Sequence, residues 1–123
     1  MENIRIVKSQ SAHFIAGELG VLLISDVFYS EMGEFIKWSG DQYWYFAYSE
    51  GVMTGFICHK NDTILYAYTR PSFRNKGVFS ALYNDIPEQS WKVNSSNMAL
   101  PIYLKLGFKI LKSYKICHKL MKY

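Results

Sequence analysis

Between Tyr43 and Thr69 the chain holds three runs of aromatic and β-branched residues, Tyr43 to Ser49, Val52 to His59 and Ile64 to Thr69, separated by the turn pairs Glu50-Gly51 and Asn61-Asp62. Turns this short join neighbouring antiparallel strands, so the stretch commits the protein to a three-strand meander. Every other element must be placed around that meander. Pro71 ends it, because a proline cannot continue a strand ladder.

The flanks supply helices and further strands. Ile4 to Val7 reads as a first strand, and Ser9 to Ser11 offer caps for a helix in which Ala12, Ile15, Ala16 and Leu19 recur at helical spacing. Asp26 can cap a second helix with Phe28, Met32, Phe35 and Ile36 on one face and Ser39-Gly40 as its stop. After the meander, Phe79, Leu82, Tyr83 and Ile86 predict a helix that Pro87 ends, and Trp91 to Val93 a brief strand. Asn97 can cap a last helix in which Ala99, Ile102, Tyr103 and Leu106 share a face, Pro101 sits in the first turn and Gly107 breaks the helix. The tail from Phe108 to Tyr123 reads as one or two closing strands with a bend at Lys112-Ser113.

This order predicts an α/β (α+β) fold, a single mixed, mainly antiparallel central sheet flanked by about four helices. With 123 residues, half of them hydrophobic, residues 1–123 are expected to form one domain around one core. The formal charge of +4 favours anionic partners without choosing among them. Cys58 and Cys117 are too few and too far apart for a disulfide framework. The N-terminus lacks the layout of a signal peptide, and Val21 to Ile24 is far too short to span a bilayer, so a cytoplasmic protein without a membrane partner is expected.

Two segments carry chemistry. The first, Tyr68 to Leu82, places the basic turn Arg74-Asn75-Lys76-Gly77 between a strand and an amphipathic helix. The helix N-terminus directs free N–H groups and a partial positive charge at one spot, which suits a diphosphate. Arg74 and Lys76 add full charge, and Gly77 lets a ligand approach the backbone closely. The chain has no GxxxxGK[ST] and no GxGxxG, which argues against a nucleoside triphosphatase or a Rossmann dehydrogenase. Taken alone, the turn is equally compatible with an ordinary solvated strand-to-helix connection. The second segment is Ala99-Leu100-Pro101-Ile102-Tyr103-Leu104-Lys105-Leu106-Gly107-Phe108.

Together the two segments resemble the GNAT superfamily of coenzyme-A-dependent N-acetyltransferases, of which this would be a compact member. In that family a strand and a Pro lead into Arg/Gln-x-x-Gly-x-Gly/Ala and a helix, followed later by a helix of the form Ala-x-x-hydrophobic-Tyr-x-Lys-x-Gly-Phe. The resemblance implies a sheet whose fourth and fifth strands splay apart to hold pantetheine. It implies that backbone groups near Tyr68 and Thr69 pair with pantetheine, and that Arg74, Asn75, Lys76, Gly77, Val78, Phe79 and Ser80 wrap the pyrophosphate. Phe79 departs from the Gly or Ala usual at its position, and Ser96 from a common Asn, a contact that Asn97 would replace. Tyr103 matches the tyrosine that faces the thioester sulfur. A phenol of pKa about 10 stays protonated near neutrality and can donate to a thiolate whose thiol has a pKa of about 8.5, so Tyr103 is the expected general acid.

The expected reaction is transfer of an acetyl or other acyl group from acetyl-coenzyme A, as co-substrate, to a primary amine of a small molecule or protein by direct attack. The amine needs a base, a water chain or a desolvating site to free its lone pair. Tyr66 and Tyr68 stand on the fourth strand where relatives often place a carboxylate, leaving Glu31, Glu34, Glu50 and Asp62 as acidic candidates; Glu34 is the speculative base. No metal is expected: in Cys58-His59 and Cys117-His118 neighbouring strand residues point to opposite faces, and their spacing matches no common zinc pattern. Ten tyrosines, eight phenylalanines, three tryptophans and the basic tail from Lys109 to Lys122 permit a nucleic-acid face, although core packing accounts for most of the aromatics. The alternatives are therefore a non-catalytic coenzyme-A-binding module and a GNAT-fold base-modifying enzyme resembling phage Mom. Open strand edges in the closing hairpin are compatible with either a monomer or a homodimer.

Overall fold

A computed structural model of the protein describes residues 4–23, 40–96, 100–113 and 117–122. In chain order its elements are β1 (Ile4–Ser9), α1 (Ala12–Leu23), β2 (Tyr43–Ser49), β3 (Val52–Lys60), β4 (Thr63–Thr69), a 3-10 turn (Pro71–Phe73), α2 (Val78–Asp85), β5 (Trp91–Ser96), α3 (Leu100–Lys105), β6 (Lys109–Ser113) and β7 (Cys117–Lys122). The strands form one sheet in the order β1-β2-β3-β4-β5-β7-β6. Every neighbouring pair is antiparallel except β4 and β5, so the sheet is mixed and mainly antiparallel as expected. The helix expected after Asp26, with Phe28, Met32, Phe35 and Ile36, falls outside the described residues together with Glu31 and Glu34. Three α-helices are thus described where about four were expected.

The meander forms where the turn pairs put it. Glu50 and Gly51 both adopt positive φ, at 52° and 79°, the combination a two-residue hairpin of matching twist requires. Alternation then splits β2 and β3 between two layers. Tyr45, Ala47 and Ile57 face one core with Val78 and Leu82 of α2 and Ile86 just after it, while Trp44, Phe46, Phe56 and Cys58 face a second with Ile15 and Leu19 of α1. Burial on both faces explains why these strands read as continuous apolar runs. Cys58 and His59 lie in opposite layers: Cys58 joins the α1 side, where burial pushes its thiol well above the ordinary range, and the His59 ring packs on Tyr45 and Trp91.

Three local expectations need correction. In α1, Ile15 and Leu19 are buried but Ala12 and Ala16 are exposed, because Phe14 rather than alanine widens the apolar stripe. In α3 only Tyr103 is fully buried, while Ile102 remains 46% exposed, since one residue step on a helix is a rotation of about 100°. Finally, β6 runs through Lys112 and Ser113, so strand stands where a bend was expected. The cap at the start of α1 forms as read: Ser11 Oγ accepts from Phe14 N–H at 3.4 Å. Among the described residues no helix is long and apolar enough to cross a membrane.

Candidate active site

β4 and β5 run side by side but pair only at Thr63↔Lys92 and Ile64↔Val93. The Lys92 N–H donates to Asp62 O at 2.8 Å and closes that end. Just beyond the last pair, the register against β3 passes from His59↔Ile64 to Cys58↔Tyr66, leaving Leu65 as an extra residue on β4. A bulge bends and twists its strand. Here the bulge falls where the pairing of β4 with β5 stops, while β5 continues along β7 as far as Ser96↔Cys117. The sheet therefore opens as a wedge that widens toward Thr69.

Backbone direction at the mouth of the wedge follows from one hydrogen bond. Arg70 N–H donates to Thr54 O at 2.8 Å, so the main chain of Arg70 faces β3. Alternation along the strand turns the Tyr68 main chain the same way and the Thr69 main chain toward the wedge. There Thr69 O accepts from Arg74 Nε at 2.9 Å, and the Arg74 guanidinium lies 5.5 Å from the centre of the Tyr68 ring. Arg74 thus folds back along the end of β4. The Tyr68 side chain itself is buried in the layer beneath α1.

Between β4 and α2 the chain makes a compact basic turn. Phe73 N–H donates to Arg70 O at 2.8 Å, Asn75 takes φ 61°, and Gly77 takes φ 84° as the residue preceding α2. No side chain caps the helix there, and Ala81 N–H is the donor that reaches Gly77 O, at 3.0 Å. The first N–H groups of a helix have no acceptor within it, so those of Val78, Phe79 and Ser80 form a cluster of donors at the positive end of the helix dipole. Asn75, Lys76 and Ser80 are exposed around it, with the Lys76 ammonium 5.9 Å from the centre of the Phe73 ring. Gly55 on β3 sets the depth of this arrangement. A Cβ there would stand 2.5 Å from Tyr68 O and 3.3 Å from Val78 Cγ1, so glycine is what lets the β4 main chain lie this close to β3, with α2 tight above it.

Tyr103 enters from α3. It is 3% exposed, and its ring meets Phe79 edge-on at 5.5 Å and Phe108 edge-on at 5.2 Å. Burial, assisted by the neighbouring Tyr83, raises its phenol above the ordinary value for tyrosine, so it remains a proton donor throughout the neutral range. Phe79, on the first turn of α2, links the basic turn to this tyrosine.

The acidic candidates are dispersed. Asp62 lies at the closed end of the wedge, with Oδ2 3.6 Å from Lys92 Nζ, and Glu50 is exposed in the β2–β3 turn. Glu34 and Asn97 fall outside the described residues. Sequence reading passed over Glu18, half-buried on α1, which accepts a hydrogen bond from the Tyr48 phenol; burial and then that contact raise the phenol's pKa, with Arg5 opposing. Helical spacing places Glu18 one step from Leu19, and no local pattern pointed to a tyrosine on β2. A cavity of about 550 Å³, lined in part by Tyr83, Ile86, Trp91 and Lys122, lies at the C-terminal end of α2, the far end from Gly77.

Residues 18–119, the greater part of the chain, match the family model described as an acetyltransferase (GNAT) domain. The chain belongs to the GNAT acetyltransferase family. Solved structures agree on the acyl-CoA N-acyltransferase fold. A Pseudomonas aeruginosa acyl-CoA N-acyltransferase is 10% identical, with a TM-score of 0.74 over 98% of this GNAT chain and 100% of that one. The PaiA N-acetyltransferase of Thermoplasma acidophilum, solved with coenzyme A, is 13% identical, with a TM-score of 0.72 over 96% and 98%. Arabidopsis thaliana Naa50, solved with the bisubstrate analogue CoA-Ac-MVNAL, is 15% identical, with a TM-score of 0.63 over 98% of each chain. No curated protein sequence matches this GNAT chain. Against the family pattern its basic turn departs at Phe79, and that ring rests on Tyr103.

Proposed function

We propose that the protein transfers an acetyl or related acyl group from coenzyme A to a primary amine. The observation that carries this reading is the wedge between β4 and β5, with an uncapped helix N-terminus at its mouth. A diphosphate fits the donor cluster of Val78, Phe79 and Ser80, flanked by Asn75, Lys76 and Gly77. The pantetheine arm then runs along the outward-facing main chain of Thr69, with Arg74 and Tyr68 bordering its path. Asn97 and Glu34, the expected additional cofactor contact and base, complete the proposed set.

In the reaction the amine nitrogen bonds to the thioester carbon as the carbon–sulfur bond breaks, leaving the electron pair on sulfur. Tyr103 offers its phenol to that sulfur. Because burial raises its pKa, the phenol acts chiefly as a hydrogen-bond donor that stabilises the developing thiolate, and full protonation follows as the thiol leaves. The ammonium first gives one proton to solvent or base, so that the neutral amine attacks, and the proton then released from nitrogen as the amide forms balances the one the thiolate takes up.

Calorimetric titration with coenzyme A, followed by thiol release from acetyl-coenzyme A over a panel of amines, tests the reading. Binding that weakens in Arg74→Ala together with amine-dependent thiol release is expected. Binding without release for any amine would make the protein a non-catalytic coenzyme-A module, and absence of binding would refute the reading altogether.

A further inference from the structure

Charge is divided sharply along this chain. From Gln89 to Tyr123 there are seven lysines, no arginine and no acidic residue, whereas every Asp and Glu lies before that point. The lysine-rich part is β5, α3, β6 and β7, the half of the sheet beyond the wedge.

Register shows where these charges gather. Lys92 on β5 and Lys109 on β6 both stand opposite Met121 of β7, and Lys119 lies two residues before Met121 on the same side of its strand. The intervening Leu120 pairs with Val93 and is buried on the other face beneath α2. Lys92, Lys109 and Lys119 are exposed, so the face away from α2 is a lysine surface. Among the described residues β6 is the last strand of the sheet, and none of them forms a strand along its outer edge. On its other face β6 presents Ile110, in register with Leu120 and 46% exposed.

An outer strand with lysine on one face and an apolar residue on the other selects its partner by chemistry. We propose that β6 docks an extended acidic peptide segment, added as an eighth strand, whose acidic residues alternate with apolar ones. Main-chain hydrogen bonds hold such a strand, and its alternate side chains meet Lys109 on one side and Ile110 on the other. Edge lysines also suppress pairing between copies of the same chain, because like charges meet across the new strand pair. An acidic strand converts that repulsion into attraction. A nucleic acid fits less well. This part of the chain has no arginine for forked recognition of bases, Lys92, Lys109, Lys119 and Met121 provide no aromatic platform, and a phosphodiester cannot pair with a strand edge.

Fluorescence anisotropy with the full chain and a short labelled peptide of alternating glutamate and valine tests the proposal. The peptide should bind, and Lys109→Glu on the edge strand should lose about fivefold in affinity, the upper end expected of one cross-strand charge pair. A lysine–valine peptide should in turn prefer that variant. N-methylation of alternate peptide nitrogens should abolish binding, which separates strand addition from simple charge attraction and does not depend on how the variant folds. The proposal is overturned if the N-methylated peptide binds as tightly, if single-stranded oligothymidylate binds as tightly as the acidic peptide, or if no peptide binds at low ionic strength. It is likewise overturned if sedimentation shows β6 occupied by a second copy of the chain. None of these readouts depends on acyl transfer.

Discussion

The main-chain N–H of Phe108 donates to the carbonyl of Tyr103 at 3.1 Å, and their rings meet edge-on at 5.2 Å. With Gly107 N–H donating to Leu104 O at 3.1 Å and Gly107 at φ 97°, this is the paired hydrogen-bond pattern that ends a helix on a left-handed glycine, including its accompanying apolar contact. The Tyr-x-Lys-x-Gly-Phe pattern therefore has a mechanical meaning: the helix stop fixes the tyrosine. Gly107→Ala forces a side chain into the left-handed region and should cost roughly 1–2 kcal/mol of stability. A Cβ there would meet only Lys122 Cε at 3.7 Å, an ordinary contact, so backbone strain sets the cost. Urea unfolding measures it, and a midpoint equal to that of the parent would refute the assignment.

Tyr103→Phe separates the two duties of that side chain. The ring contacts with Phe79 and Phe108 survive, so the melting temperature should change little. Loss of the phenolic proton should slow thiol release from acetyl-coenzyme A by about 10²-fold, the lower end for a positioned acid, with coenzyme A affinity unchanged. Equal rates for the two proteins would remove Tyr103 from the chemistry and leave it a packing residue.

How legible was this molecule in its sequence? The meander was, because two-residue turns between apolar runs admit few alternatives, and Gly107 announced the end of α3 because few residues tolerate its φ. The bulge at Leu65 was not. It arises from how β4 registers against β3, a relation between strands that no local pattern encodes, and it stands where the wedge begins. The direction of Arg74 was equally hidden: the sequence offered a charge beside a glycine turn, whereas Thr69 O and the Tyr68 ring draw the guanidinium back along β4. The exposure of Ile102 shows the remaining weakness, since in a helix as short as α3 an apolar residue one step from the buried face still counts toward a pattern.

Gly55→Ala tests how the sheet and α2 jointly set the site. The added Cβ would lie 2.5 Å from Tyr68 O and 3.1 Å from Thr69 Cα, both backbone atoms, so neither can swing aside. Overpacking of this kind costs about 1–3 kcal/mol. The strain falls on the end of β4 and on Val78, so coenzyme A affinity should drop alongside stability. Isothermal titration beside thermal melting distinguishes the outcomes: a melting loss with full affinity would show that the α2 N-terminus does not depend on this contact.

His59 predicts how the fold responds to acid. Its ring is 5% exposed and enclosed by Tyr43, Tyr45 and Trp91 at 5.3, 5.6 and 4.8 Å, and neither ring nitrogen has a hydrogen-bond partner in good geometry. Burial, and then the nearby Lys8 ammonium, lowers its pKa below 6.5, with the main chain at Asn61 offsetting part of the shift. In the unfolded chain the same imidazole titrates near its ordinary value of about 6.5. Above that pH both states are neutral and His59 adds no pH dependence. As pH falls below it, the unfolded state binds a proton that the folded state refuses, so stability declines by at most about 1.4 kcal/mol per pH unit until the folded-state pKa is reached. His59→Phe keeps an aromatic ring in the stack and has no proton to bind, so its stability should fall less steeply between neutral and mildly acidic pH. Urea unfolding of both proteins across that range cancels every contribution that the two share. A difference in stability that stays constant with pH would mean that His59 gains its proton as readily in the folded protein as in the unfolded chain.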